Sequence, residues 1–312
     1  MTDPRKLISG GSRPSPDSIG QPGVPSCFCF HWKDTRVFLE GVDEDLIQAM
    51  SRLMSLPFVR VEKLEGVLPD IICTPQGDLH RILTGEKFPC ATREDLLMGL
   101  IALSCIHLLA TTDESIIHAG AFVVEGRAVL FCGPHLMGKS SLAYTAWKLS
   151  YPVIGDDWIV VDPLKRTASA FPKPIKTRFA GGVVSPDIEP TVPPQDRLVG
   201  RLMSGEYRLV LGKGLENMTP LGQEFPVGAL YLMARGKDER TVIEVPSRHD
   251  ALATILEETM LTRTSRLRVI KLLAHLRQGQ RVYRIVVGEN DLPRAVKMMA
   301  DKASASLQIS TS

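Results

Sequence analysis

Apolar and polar positions along this chain change their period several times, and each change marks an element. Short runs in which apolar residues dominate fall at 27–32 (CFCFHW), 36–40 (RVFLE), 58–63 (FVRVEK) and 70–74 (DIICT) and predict strands. Between them, the stretch 43–54 (DEDLIQAMSRLM) brings Leu46, Ile47, Met50 and Leu53 onto one face at helical spacing. At Thr92 and Asp95 the spacing is that of a capping box, in which the threonine oxygen satisfies an orphan amide of the first helical turn, and an apolar helix is expected over 93–110. Residues 26–111 therefore read as a small N-terminal α/β module.

Beyond it the pattern predicts two strands, 116–126 and 127–133, joined by a turn at Glu125-Gly126. A glycine-rich loop, a helix over 139–149 and a strand over 152–162 follow. A stretch rich in Pro, Lys and Arg runs from 163 to about 208. Strands are expected at 226–234 and 241–245, a helix over 248–260 capped by Ser247, a strand at 282–287 and a helix over 291–303. Residues 1–25 are Gly, Pro and Ser-rich without hydrophobic period and are expected to form a flexible tail. The expected organisation is thus an α/β protein: the tail, the module of 26–111, and a unit over 112–312 built on a mixed sheet flanked by helices.

Composition narrows the partners. With 312 residues, 44% hydrophobic and 23% charged, the chain has enough apolar material for a substantial core. Its 37 basic and 35 acidic residues give a net charge of +2 with no long basic run, which argues against nucleic acid as a partner. The N-terminal segment lacks the apolar core of a secretory signal. The longest apolar stretch, 96–110, falls short of the roughly 20 residues a bilayer needs, so no membrane association is expected and the setting reads as cytoplasmic. Six cysteines are scattered through apolar segments, which does not suggest a disulfide framework. The one-residue spacer of Cys27-x-Cys29 does not suit a zinc knuckle.

The chemistry concentrates in the second unit. Gly133-Pro134-His135-Leu136-Met137-Gly138-Lys139-Ser140 satisfies G-x-x-x-x-G-K-[ST] in full and stands between an apolar strand and a helix. Inward-facing loop amides and the positive end of the helix are suited to hold phosphates, with Ser141 continuing the first turn. Lys139 is placed to reach the β and γ phosphates of ATP, and Ser140 to hold Mg²⁺. Transfer to a hydroxyl also needs a proton acceptor and metal support, and Asp156-Asp157 supplies two carboxylates in an otherwise apolar strand, the alternative being a surface turn between two short strands. Successive strand residues point to opposite faces, so one is expected to face the nucleotide while its neighbour supports the structure or reaches the site around the strand end.

His118 precedes the loop on the neighbouring strand and is placed to pair with a carboxylate. Lys173, Lys176 and Arg178 alternate around Pro174 and could neutralise a phosphoryl group or an acidic substrate; a solvated basic loop is the plainer reading. Arg197, Arg201 and Arg208 lie in a Gly- and Pro-punctuated region that could serve as a lid or substrate loop.

His118, the loop GPHLMGKS beginning 15 residues later and the GDD whose first aspartate lies 23 residues after Gly133 together resemble the catalytic domain of HPr kinase/phosphorylase and its related kinases, over roughly 112–260. The resemblance implies a fold akin to phosphoenolpyruvate carboxykinase. It implies Asp156 as proton acceptor with His118 as its partner, and Lys139 and Ser140 as phosphate and metal contacts. Asp157 would support the metal or the strand. Where bifunctional members carry Glu-x-Arg-Gly-Leu-Gly, this chain reads FPKPIKTRFAGG at 171–182, without an acidic residue. That departure leaves a second metal contact and the reverse, phosphorolytic reaction as open questions for this chain. The PKPI stretch looks more like divergent relatives, some of which phosphorylate peptides in natural-product pathways.

The expected activity is therefore Mg²⁺- and ATP-dependent phosphorylation of a hydroxyl, of Ser or Thr in a small protein or peptide. Two alternatives remain, a small-molecule kinase and a nucleotide-binding sensor or scaffold without turnover. The resemblance also allows a homo-oligomer.

Overall fold

A computed structural model describes residues 26–62, 68–82, 84–178, 192–201, 207–236, 240–247, 281–288 and 291–308. The tail expected over 1–25 and the helix expected over 248–260 lie outside the described residues. The chain begins with a hairpin of β1 (Cys27–Trp32) and β2 (Thr35–Glu40), followed by α1 (Glu44–Met54), β3 (Phe58–Val61), β4 (Ile71–Cys73), β5 (Leu79–Arg81), β6 (Glu86–Phe88) and α2 (Arg93–Thr111). The strands form a six-stranded sheet in the order β3-β1-β2-β4-β5-β6.

Both helices start where side chains can satisfy their first amides. The Asp43 carboxylate accepts the Leu46 N–H at 2.8 Å, and the Thr92 hydroxyl accepts the Asp95 N–H at 3.0 Å. α2 has 19 residues and would pass for a membrane span by length and composition. In this fold, however, Leu97, Leu100, Ile101, Leu103 and Leu108 are buried in the same core as β1, β2 and α1.

The second sheet carries the loop. It is built from β7 (Ser115–Val124), β8 (Arg127–Cys132), β9 (Val153–Gly155), β10 (Trp158–Asp162), β11 (Thr167–Ala170), β15 (Glu224–Arg235), β16 (Val242–Glu244) and β17 (Val282–Val287). Its order is β11-β10-β7-β8-β15-β17-β16, with β9 also on β7. β7 and β8 form the expected hairpin, and its two turn residues, Glu125 (φ 48°) and Gly126 (φ 72°), have the left-handed backbone that two-residue hairpin loops require.

β7 is apolar almost throughout because both of its faces are covered. Ile117, Ala119, Ala121 and Val123 point into one core, while Ile116 joins the N-terminal core and Phe122 and Val124 a third. An additional β11–β15 pairing closes β11, β10, β7, β8 and β15 into a ring. Its interior holds Ala119, Ala121, Ala128, Ala168 and Ala170 among larger residues, since a ring of so few strands leaves little room for side chains. On the outer face, α3 (Lys139–Lys148) and α4 (Leu292–Gln308) bring Leu142, Ala143, Ala146, Val296 and Met299 against Phe122, Phe131, Tyr231 and Ile285.

Two expectations change. The basic stretch from 163, given no element from its sequence, contains β11 and also β12 (Ile175–Arg178), β13 (Arg197–Arg201) and β14 (Tyr207–Leu211), the last three forming a third sheet in the order β12-β14-β13. Arg197, Arg201 and Arg208, considered for a lid or substrate loop, are thus strand residues there; the side chains of Arg201 and Arg208 lie outside the described residues. The strand expected over 152–162 is broken at Asp156-Asp157 into β9 and β10.

The N-terminal core does not stop at residue 111. Ile116, Val160, Phe171, Leu198 and Val210 belong to it. Phe171 sits between two tryptophans, its ring centroid 4.7 Å from that of Trp32 and 5.3 Å from that of Trp158, both near perpendicular. Phe171→Ala should destabilise the protein by about 3–5 kcal/mol through the lost packing and the cavity left behind, read as a lowered urea midpoint. A loss below about 1 kcal/mol would mean that the aromatic stack does not hold the two sheets together.

Candidate functional site

The loop between β8 and α3 draws its shape from a few backbone positions. Gly138 ends it at φ 93°, a conformation that costs glycine little, and Leu136 takes φ 71° with its side chain 60% exposed. No side chain caps α3, so the amides of its first turn remain for another acceptor. Lys139 folds back under the loop, 6% exposed, donating to the Gly133 carbonyl at 2.5 Å and the Pro134 carbonyl at 3.2 Å. Gly133 and Pro134 therefore hold the lysine from behind. His135, Leu136, Met137, Gly138, Lys139, Ser140 and Ser141 line a cleft of about 460 Å³ together with His118, Asp156, Asp157, Lys173, Lys176 and Arg235.

The broken strand explains how both aspartates reach that cleft. β9 and β10 each pair with β7, Gly155 opposite Ala121 and Trp158 opposite His118, and the two residues between them bend out of the ladder. In an unbroken strand their side chains would point to opposite faces. Here the Asp156 carboxylate, on a residue 2% exposed, accepts the Lys176 backbone N–H at 3.1 Å, while Asp157 turns to other partners.

Those partners correct the expected pairing of His118 with Asp156. His118 Nε2 lies 2.8 Å from Asp157 Oδ1, and the Lys173 ammonium contacts Asp157 Oδ2. Register is the reason: His118 stands opposite Trp158, one residue from Asp157, whereas Asp156 is drawn toward β12. Lys173 also lies 4.0 Å from the centroid of the Trp158 ring. Lys176 lines the cleft as well as supplying its amide, whereas the Arg178 side chain lies outside the described residues.

Two further residues belong to this place although no motif marks them. Arg235 ends β15, which runs parallel to β8 with Leu232 opposite Cys132, and that pairing carries the guanidinium to the cleft beside the loop. Lys213, just past β14, is 3% exposed and donates its ammonium to the Ile154 carbonyl. Burial pulls its pKa down to about 8, and the nearby Asp156 charge opposes that shift. Behind them the buried Cys105 thiol is pushed up to about 11, which leaves it protonated and unreactive at neutral pH.

The side chains on the cleft wall include Lys139, Lys173, Lys176 and Arg235 against Asp156 and Asp157, a positive balance suited to a polyphosphate. Among the described residues no three His, Cys, Asp or Glu side chains cluster as a metal site of their own.

No family model matches the chain, and no curated protein matches it. Among solved structures, the Hpr(Ser) kinase/phosphatase from Coxiella burnetii is similar over 62% of this chain and 99% of its own, with 12% identity and a TM-score of 0.32. Such a likeness is distant.

The buried lysine gives a signature in pH. Its folded pKa of about 8 lies below its ordinary 10.5, so between those values the unfolded chain binds more protons and stability rises with pH. The cost of burying the ammonium is complete below pH 8 and relieved toward 10.5. Relative to Lys213→Met, the unaltered protein should therefore gain stability between pH 8 and pH 10, read from urea midpoints at the two values. Parallel behaviour of the two proteins would show that the lysine titrates as though exposed.

Proposed function

We propose that this chain is a Mg²⁺- and ATP-dependent phosphotransferase acting on a hydroxyl, of Ser or Thr in a small protein or peptide. The observation that carries the reading is the placement of the buried Asp156 on the same cleft wall as Lys139, Ser140 and the first turn of α3. Loop amides and the uncapped helix end suit the phosphates of ATP. Lys139 has to release the Gly133 and Pro134 carbonyls to reach them. Asp156 takes the proton of the acceptor hydroxyl as its oxygen attacks the γ phosphorus. The bond from that phosphorus to the bridging oxygen breaks, and ADP leaves with the electron pair. Lys176 and Arg235 stand on the same wall to balance charge on the transferring group.

Magnesium fits the donors present. It binds through one or two protein oxygens plus phosphates, and Ser140 and Asp157 offer a hydroxyl and a carboxylate on one wall. Ser140 and Asp157 would hold it, and when bound it would neutralise charge on the phosphates. Asp157 would then have to loosen Lys173, which could move its charge toward the phosphates.

A second reading, a nucleotide-binding module without turnover, is favoured by one observation: both oxygens of the Asp157 carboxylate are already engaged, by His118 and by Lys173. Incubation with γ-labelled ATP, Mg²⁺ and a cell extract separates the two. Phosphotransfer predicts label in a protein or peptide band, and label only in small molecules would shift the acceptor class to a metabolite. Asp156→Asn should bind ATP normally and transfer about 10²–10⁴-fold more slowly. Lys139→Ala should weaken ATP binding about tenfold or more. A wild-type protein that binds ATP and labels nothing would leave the sensor reading in place of the kinase.

A further inference from the structure

Behind the two aspartates lies a cation that the chemistry above does not use. The backbone of Lys213 is fastened independently of its side chain: its N–H donates to the Leu53 carbonyl near the C-terminal end of α1 at 3.0 Å, and the Gly212 N–H donates to the Asp196 carbonyl at 2.9 Å. From that fixed root the ammonium reaches the Ile154 carbonyl in β9 and donates to it. It lies so near the bend that a methyl group built on Gly155 would be 3.6 Å from Nζ. The next residue is Asp156, whose charge acts favourably on the ammonium.

Asp156 thus stands between two anchors, the Lys176 N–H from β12 that its carboxylate accepts and the Ile154 carbonyl two residues before it, which Lys213 holds. The two anchors differ in one respect. Lys173, Lys176 and Arg235 lie on the cleft wall, where phosphates compete for their charge, whereas Lys213 is not part of that wall. Its hydrogen bond to Ile154 is not one for which a phosphate in the cleft would compete. A bend free to relax would let Asp156 leave the Lys176 N–H and turn toward the cationic wall, away from an acceptor hydroxyl.

We propose that Lys213 is a positioning residue: fixed on the Ile154 carbonyl, its ammonium holds the bend of residues 155–157 and so keeps the Asp156 carboxylate in place beside the cleft. The catalytic half of this inference rests on the reading of Asp156 as the proton acceptor, while the geometric half stands without it.

Two variants remove the hydrogen bond to Ile154 with different packing. Lys213→Met leaves an apolar side chain in its place; Lys213→Gln leaves a polar one whose amide is a bond too short to reach that carbonyl from the same root. Amide exchange at Lys176 reports whether Asp156 still holds that N–H, and exchange at Gly212 reports whether the loop stays docked on its neighbours. In both variants Lys176 protection should fall about tenfold or more while Gly212 stays protected. With Mg²⁺ and ATP as probe and water as acceptor, kcat for hydrolysis should fall about 30-fold or more with KM for ATP within about threefold.

If Lys213→Met also frees Gly212, Lys213→Gln decides. Unchanged Lys176 protection in Lys213→Gln overturns the proposal even if the wild type turns over no ATP, so its failure is distinct from that of the kinase reading. Lost protection with unchanged kcat overturns the catalytic half.

Discussion

A carboxylate as deeply buried as that of Asp156 has to be compensated, and much of the architecture around the loop supplies the compensation. The strand breaks so that Asp156 can accept an amide from β12. That amide is in place because β12 belongs to a small sheet formed by the basic segment. The same sheet continues through β14 into Gly212 and Lys213, which are tied to α1 and to Ile154. The acidic pair is therefore held by three separate parts of the chain rather than by its own strand. Its two members divide the work: Asp156 accepts a backbone amide of β12, and Asp157 faces His118 and Lys173.

This arrangement also binds the N-terminal sheet to the site. α1 gives its Leu53 carbonyl to the Lys213 loop, and Trp32 of β1 packs on Phe171, which packs on Trp158 beside the aspartates. The six-stranded sheet is thus part of the scaffold that sets the bend. The ring of β7, β8, β10, β11 and β15 provides the other fixed side, since both faces of β7 are buried and its register places His118.

Sequence patterns made part of this visible. α1 and α2 carry strong caps and long apolar faces, the Glu125-Gly126 turn announces its hairpin, and the loop motif stands between a readable strand and a readable helix. β5 and β6 are three residues each, too short to show a period. β12, β13 and β14 were hidden because their arginines and lysines interrupt the apolar alternation that identifies strands.

The pairing of His118 depends on a cross-strand register, which local composition does not encode. Lys213 stands between two glycines in a segment that looks like a solvated turn, and only the tertiary fold buries it. Arg235 likewise owes its place to the parallel pairing of β15 with β8, over 90 residues apart in sequence.

The stacking of Lys173 over Trp158 gives the site an optical property of its own. An indole's emission responds to the electric field across its ring, and a full positive charge 4.0 Å from the centroid is a strong local field. The chain has three tryptophans, and Trp147 is occupied elsewhere, donating to the Glu216 carbonyl. Any event that draws Lys173 off Asp157 would move that charge relative to Trp158 and change the colour of its fluorescence, so the protein carries a built-in gauge of the state of its acidic pair.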